Sequence, residues 1–298
     1  MTPALAAASQ EIAAATEKLL DELLPQPQGL TAKLDEAMRY GVLGGGKRLR
    51  AQLAVLGADL FDMPRSQSLR VGAALEMLHG YSLIHDDLPC VDDDDLRRGK
   101  PTVHKAFDEA AAVLAGDALQ TEAFAVLADA ETHADAAVRV ALLAGLARAS
   151  GSRGMAGGQA IDLAAETLGR RLETSEIEHL QALKTGALIV FAAESGAILA
   201  EALPMERAAL RAYGAALGLA FQIADDILDR EGDPALVGKA LAKDQAAGKA
   251  TFVDLLGLEG ARARAGALVA EACEHLAVFG DKAGLLRDLA GFVITRRA

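Results

Sequence analysis

Residues Ser68–Asp87, SLRVGAALEMLHGYSLIHDD, are apolar or small on almost every side of a helical projection, and they end in paired aspartates. A helix without a polar face has to be surrounded by other elements. The segment therefore predicts the central member of a helical bundle. Its neighbours share the pattern. EIAAATEKLLDELL sets Ile12, Leu19, Leu20, Leu23 and Leu24 near one stripe. Glu176–Ala200 and Arg207–Asp229 repeat apolar residues at spacings of three and four. Alternating β-branched runs are missing, so no strand is expected. Breaks are expected at Pro25–Gly29, Gly41–Gly46, Asp62–Pro64, Pro89–Gly99, Gly151–Gly158, Pro204 and Gly232–Gly238. None of them reads as an interdomain linker. The expectation is one all-α domain over residues 1–298, with about ten helices.

The 298 residues are 52% hydrophobic, enough for a substantial core. A formal net charge of −12 opposes nucleic-acid or anionic-membrane partners. Cys90 and Cys273 make no disulfide framework, so a reducing, cytoplasmic setting is expected. The N-terminus lacks the basic and apolar regions of a signal peptide. Ala187–Ala200 and Leu210–Ala224 come nearest to a membrane span. Glu194 interrupts the first, and the second stops short at Asp225 and Asp226, so no span is expected.

What the charges do is the harder question. HDDLPCVDDDDLRRGKPTVH crowds six aspartates behind the central helix and follows them with Arg97, Arg98, Lys100 and Lys105. Taken alone, such a run is a solvated loop. A second cluster changes the weighing. FQIADDILD places Asp225 and Asp229 on one helical face, with Gln222 one turn earlier. Two apolar helices thus each end in an Asp-Asp pair plus a third aspartate: Asp86, Asp87 and Asp92, then Asp225, Asp226 and Asp229. Facing walls of one cavity, with Mg²⁺ between them, account for both. GVLGGGKRLR adds Lys47, Arg48 and Arg50 behind glycines whose N–H groups can approach an oxyanion. Arg97, Arg98, Lys184, Lys239 and Lys249 complete a set suited to a substrate with more than one phosphate. Gly41–Lys47 also matches the start of a P-loop, but Arg48 stands where Ser or Thr is needed and a helix, not a strand, precedes it. The acidic run lacks the glycine and glutamate of a calcium loop.

GGGKRLR, HDDLPCVDDDDLRRGKPTVH, GMAGGQAIDL, KTGAL, FQIADDILD and GDPALVGKALAKDQAAGKATF, in that order, resemble the trans-isoprenyl diphosphate synthase (polyprenyl synthetase) family. The resemblance runs from about Leu30 to the C-terminus. It implies an all-α bundle around a deep cavity, a homodimer, and three Mg²⁺ ions with substrate bound. Asp86, Asp87 and Asp92 match the family's first metal motif, and Asp225, Asp226 and Asp229 its second. Gly46, Lys47, Arg50, His79 and Arg98 match the isopentenyl diphosphate site. Arg97, Lys184, Thr185, Gln222 and Lys239 match the allylic diphosphate site. His79 alone would read as a core histidine; the family match makes it a ligand contact. Gln159 and Asp162 read equally as groups that support the binding residues or as residues without a role, and the role of Lys249 is left open. Gly154, Gly157 and Gly158 read as packing residues, and Cys90 as a spacer.

The implied reaction ionises an allylic diphosphate, adds isopentenyl diphosphate and loses a proton. Mg²⁺ and cations stabilise the leaving group. Thr185, the backbone near Gly186 and Gln222 offer dipoles to the carbocation. No side chain stands out as the base, a role the family gives to the departed diphosphate. A terpene cyclase would not need the Gly46–Arg50 and Arg98 site, and a non-catalytic partner subunit would lack one aspartate motif. Tyr81 and Ser82 lie five and four residues before Asp86. From the residues alone, Tyr81 reads equally as core or as cavity floor. In the family an aromatic here, with the four-residue spacer Leu88–Val91, goes with fifteen-carbon products. Farnesyl diphosphate is therefore the expected main product, ahead of geranylgeranyl or geranyl diphosphate.

Overall fold

The computed structural model describes residues 1–170, 172–231 and 251–296. Thirteen α-helices occur among them. Helix α1 (Pro3–Leu23) starts from Thr2, whose hydroxyl accepts the Leu5 N–H, with Pro3 pre-set for the first turn. Of the expected stripe, Ile12, Leu20 and Leu24 are buried and Leu19 and Leu23 half-buried, while Leu5 and Thr16 are buried beside them. A 3₁₀ turn (Gly29–Thr31) leads into α2 (Ala32–Val42). Then come α3 (Leu49–Asp59), α4 (Arg65–Asp86), the single turn α5 (Val103–Ala106), α6 (Glu109–Ala128), α7 (Ala136–Ser150) and α8 (Met155–Thr167). Helix α9 (Thr174–Gln181) runs through a π turn (Ala182–Gly186) into α10 (Ala187–Leu199). Helix α11 (Pro204–Glu231) precedes the described residues of α12 (Phe252–His275), a 3₁₀ segment (Leu276–Ala283) and α13 (Gly284–Thr295).

Helix α4 is the expected centre: residues from Val71 to Leu78 are buried on every side. It packs on α1, α2, α3, α6 and α10; α10 in turn meets α3 and α11, and α11 meets α12. The apolar core is continuous from Leu5 to Val293. Thr2 of α1's cap donates to Asp288 of α13 (2.5 Å), and the buried Tyr213 hydroxyl donates to the Leu286 carbonyl (2.8 Å).

Several details differ from the sequence reading. Gly41 is still helical, and α2 approaches α4 so closely there that a Cβ would meet Ile84 at 2.5 Å. Gly157 and Gly158 lie inside α8, so the break closes at Gly154. The break expected at Pro204 is present, with Pro204 as the first residue of α11. A two-residue hairpin, β1 (Leu96–Arg97) and β2 (Lys100–Pro101), supplies the strands among the described residues. Arg98 and Gly99 turn it with positive φ (52° and 74°), the two-residue geometry that matches strand twist. Among the described residues two helices, Glu109–Ala128 and Thr174–Leu199, are long and apolar enough to cross a membrane by length and composition. The sequence reading expected none. The more apolar of them is largely buried among its neighbours, as a central bundle helix must be. Both cysteines are free.

Candidate active site

Helix α4 ends at Asp86, and the chain then coils back over its own end. The Asp92 N–H donates to the Asp86 carbonyl (2.9 Å), Val91 to Leu88 (2.9 Å) and Asp94 to Asp87 (3.2 Å). The Pro89 spacer thus makes a turn that returns Asp92 to Asp86, as its spacing predicts. Successive helical residues diverge by about 100°, and the two paired aspartates part accordingly. Asp86 lines a cavity of about 420 Å³, whereas Asp87 is 2% exposed and is held by Arg97. Arg97 Nε donates to both Asp87 oxygens (2.8 and 2.9 Å) and its Nη2 to Oδ1 (2.6 Å). Asp87 therefore orients an arginine on the cavity wall. It also lines a second, smaller cavity with Tyr40 and Lys100.

Helix α11 repeats the arrangement at the same cavity. Asp225 lines the large cavity, and Asp226 is buried. Asp226 accepts from Gln222 Nε2 (3.0 Å) and from the Phe252 N–H (2.8 Å) that begins α12. Gln222 Oε1 in turn accepts the Thr185 hydroxyl (3.1 Å). Thr185 sits in the π turn with Lys184, whose ammonium is 2.5 Å from Asp162. Asp162 thus has a place: it aims Lys184. Gly158 brings α8 against this turn so closely that a Cβ would lie 2.2 Å from the Lys184 nitrogen. The expectation of close helix packing holds there. Gly154 and Gly157 press instead on carbonyls of their own preceding turn. Asp229 lies one turn beyond Asp225 on α11.

The cationic end is built from the glycine run. Gly44, Gly45 and Gly46 all have positive φ (107°, 95° and 114°), which excludes side chains from three consecutive positions. Arg98 fills the space over Gly46 and donates to the Gly45 carbonyl (3.2 Å). Arg50, Arg98 and His79 line the cavity, while Lys47 stands outside it, 5.7 Å from the Phe292 ring centroid. Arg48 is a correction to the sequence reading. It is buried and bound to Glu17, Glu76 and the Val42 carbonyl, so its charge is spent inside the fold. Burial, with Arg50, Arg98, Arg97 and Arg48 around it, holds His79 well below the usual histidine range, leaving a neutral N–H donor. Lys239 and Lys249 lie outside the described residues.

Burial, reinforced by Asp92 and Asp87 and opposed by Lys184 and Arg97, pushes the Asp86 carboxyl up to about 6. A crowded acid of this kind, with oxygen donors on both walls, fits a hard divalent cation. Arg296, which the sequence gave no reason to select, joins the same set. Its Nη2 is 2.6 Å from Asp225, and its guanidinium lies 3.8 Å over the Phe221 ring. Tyr81, Ser82, His85 and Gln159 also line the large cavity, and both amide atoms of Gln159 are buried without a hydrogen-bond partner. A further acidic group was not foreseen: ligand atoms of Asp93, Asp95 and His104 lie within 4.8 Å of one another. Asp95 is already paired with Lys105 at 2.8 Å.

Residues 31–277 match the polyprenyl synthetase family model. The chain belongs to the polyprenyl synthetase family. This polyprenyl synthetase is 46% identical over 270 residues to the farnesyl diphosphate synthase of Escherichia coli (strain K12), covering 88% of each chain. It is 41% identical over 264 residues to that of Bacillus subtilis (strain 168), again covering 88% of each. Among solved structures, an FPP/GFPP synthase from Zymomonas mobilis superposes with a TM-score of 0.91 at 51% identity, covering 98% of this chain and all of that one.

Proposed function

We propose that this polyprenyl synthetase is a chain-elongating trans-prenyltransferase. It condenses isopentenyl diphosphate with dimethylallyl and then geranyl diphosphate, giving mainly farnesyl diphosphate. One observation carries the reading: Asp86 of α4 and Asp225 of α11 line one cavity, together with Arg50, Arg97, Arg98 and Lys184. Acid walls with cations between them suit a diphosphate brought in with its metal ions. The names of the bacterial relatives support the same product.

Asp86, Asp92, Asp225 and Asp229 would hold Mg²⁺, three ions with substrate bound; the metal supplies positive charge to the diphosphate as it leaves. Lys184, aimed by Asp162, and Arg97, aimed by Asp87, bind the same allylic diphosphate. Asp226 holds Gln222, and Gln222 holds Thr185, so that their oxygens sit beside the carbon that becomes cationic. The π turn releases backbone carbonyls near Gly186 for the same purpose. Arg50, Arg98 and neutral His79 bind isopentenyl diphosphate, with Lys47 and the Gly46 N–H at the entrance. The double bond of that substrate then attacks the cation. The proton released passes to the departed diphosphate, since no side chain among the described residues stands out as a base. The working unit is a cytoplasmic homodimer of one all-α domain.

The test is direct. Incubation with Mg²⁺, dimethylallyl diphosphate and isopentenyl diphosphate, followed by chromatography, should give fifteen-carbon product. Twenty-carbon or ten-carbon product as the main species would reassign the length. A cyclic hydrocarbon formed without elongation would reassign the class.

A further inference from the structure

The lining of the large cavity contains a contact that the reaction itself does not use. Tyr81 and His85 are one turn apart on α4, and both line the cavity. Their rings meet edge to face, with centroids 5.1 Å apart and planes at 86°. The His85 ring is fixed at its far side. Its Nε2 is 3.0 Å from the Val113 carbonyl of α6, so Nε2 carries the hydrogen and donates. The imidazole is also wedged against Gly116, one turn along α6, where a Cβ would lie 2.1 Å from Nε2. Helix α6 has to be bare at that position for the ring to fit.

Building on the proposed chain-elongating function, we infer that His85 is a positioning residue for product length. It ties Tyr81 to α6 and keeps the phenol ring across the path of the growing chain. A lone tyrosine has a second rotamer available to it, and a floor that swings aside is no floor. An aromatic edge-to-face pair contributes enough to hold one rotamer. The anchoring of His85 on Val113 makes that preference a property of the α4–α6 contact. Neither of these contacts of the imidazole, with Tyr81 or with the Val113 carbonyl, involves a phosphate-binding side chain.

The experiment measures product length in Tyr81→Ala, His85→Ala and Gly116→Ala beside wild type, together with kcat/KM for the first condensation. Tyr81→Ala tests the floor itself. His85→Ala removes the buttress, and Gly116→Ala expels the imidazole while leaving both aromatic side chains in the sequence. Both should raise the ratio of twenty- to fifteen-carbon product by about tenfold, the scale on which an apolar pocket discriminates short extensions. The first condensation should stay within about threefold of wild type, since its substrates do not reach the floor. Longer product from Tyr81→Ala, with wild-type lengths from both His85→Ala and Gly116→Ala, overturns the inference and leaves the floor standing. Wild-type lengths from Tyr81→Ala remove the floor, and the inference with it. Absence of elongation in wild type removes the underlying function instead.

Discussion

At the scale of single residues, the two aspartates of each pair do opposite things. Asp86 is a charge the fold holds at a cost, and Asp226 is a charge the fold needs. The raised carboxyl of Asp86 means that the native protein retains a proton the unfolded chain has released. Its favourable contribution is present below about 3.8 and is lost as pH rises through about 6. Above that, a divalent cation relieves the cost. Mg²⁺ affinity, read calorimetrically with inorganic diphosphate present, should climb as pH rises through about 6 and then level; a flat profile would remove the electrostatic argument. Asp86→Asn should stabilise the metal-free protein at neutral pH by about 1 kcal/mol, raising Tm by roughly 2–4 °C. Turnover should fall by several powers of ten. Asp226→Asn should lower stability and turnover together. An amide cannot accept from both Gln222 and Phe252, and one buried donor without a partner costs about 1–3 kcal/mol. Denaturant melts and steady-state rates on the two variants separate these cases. The aspartates were legible in the sequence because like charges on apolar helices demand a cation. The division within each pair was implicit in the helical period, yet it needed Arg97 and Phe252 in place to be read. Arg48 misled because its basic neighbours gave no hint of Glu17 and Glu76, which are close only in space.

At the scale of elements, the site is made by where helices stop and where one of them slips. The end of α4 was readable from DDLP, and the break before α3 from three glycines. The π turn was not. It lies between apolar runs that fit an uninterrupted helix equally well, and one extra residue per turn leaves the composition unchanged. Its consequence is the outward step of Lys184 and Thr185 toward the cavity, which α8 maintains by touching the turn at Gly158. Gly158→Ala should push α8 off that turn. The overpacking cost is roughly 1–3 kcal/mol, and the Lys184–Asp162 pair should open with it. The expected result is a higher KM for the allylic substrate, with the isopentenyl diphosphate KM little changed. Equal increases for both substrates would place the contact outside the allylic half.

At the scale of the whole molecule, the walls come from distant parts of the chain and are closed by its far end. Arg296 follows α13 and sits on Asp225 as a counter-ion, on a protein whose formal net charge is −12. Arg296→Gln should tighten Mg²⁺ binding, roughly tenfold if the ion pair is worth about 1.4 kcal/mol. An unchanged affinity in calorimetry would mean that the pair opens without cost. This contact was not legible in the sequence, because no local pattern marks a residue that acts through its position after α13. The same arrangement has an optical side. The chain contains no tryptophan and three tyrosines. Tyr213 is sealed in the core, Tyr40 lies against Phe107 with its hydroxyl on the Pro101 carbonyl, and Tyr81 looks into the cavity. The near-ultraviolet emission of the unlabelled protein therefore contains one ligand-facing chromophore over a background of two that do not face the cavity. Replacing Tyr40 and Tyr213 with phenylalanine would make Tyr81 the sole emitter, a built-in probe of how far each lengthening hydrocarbon has travelled.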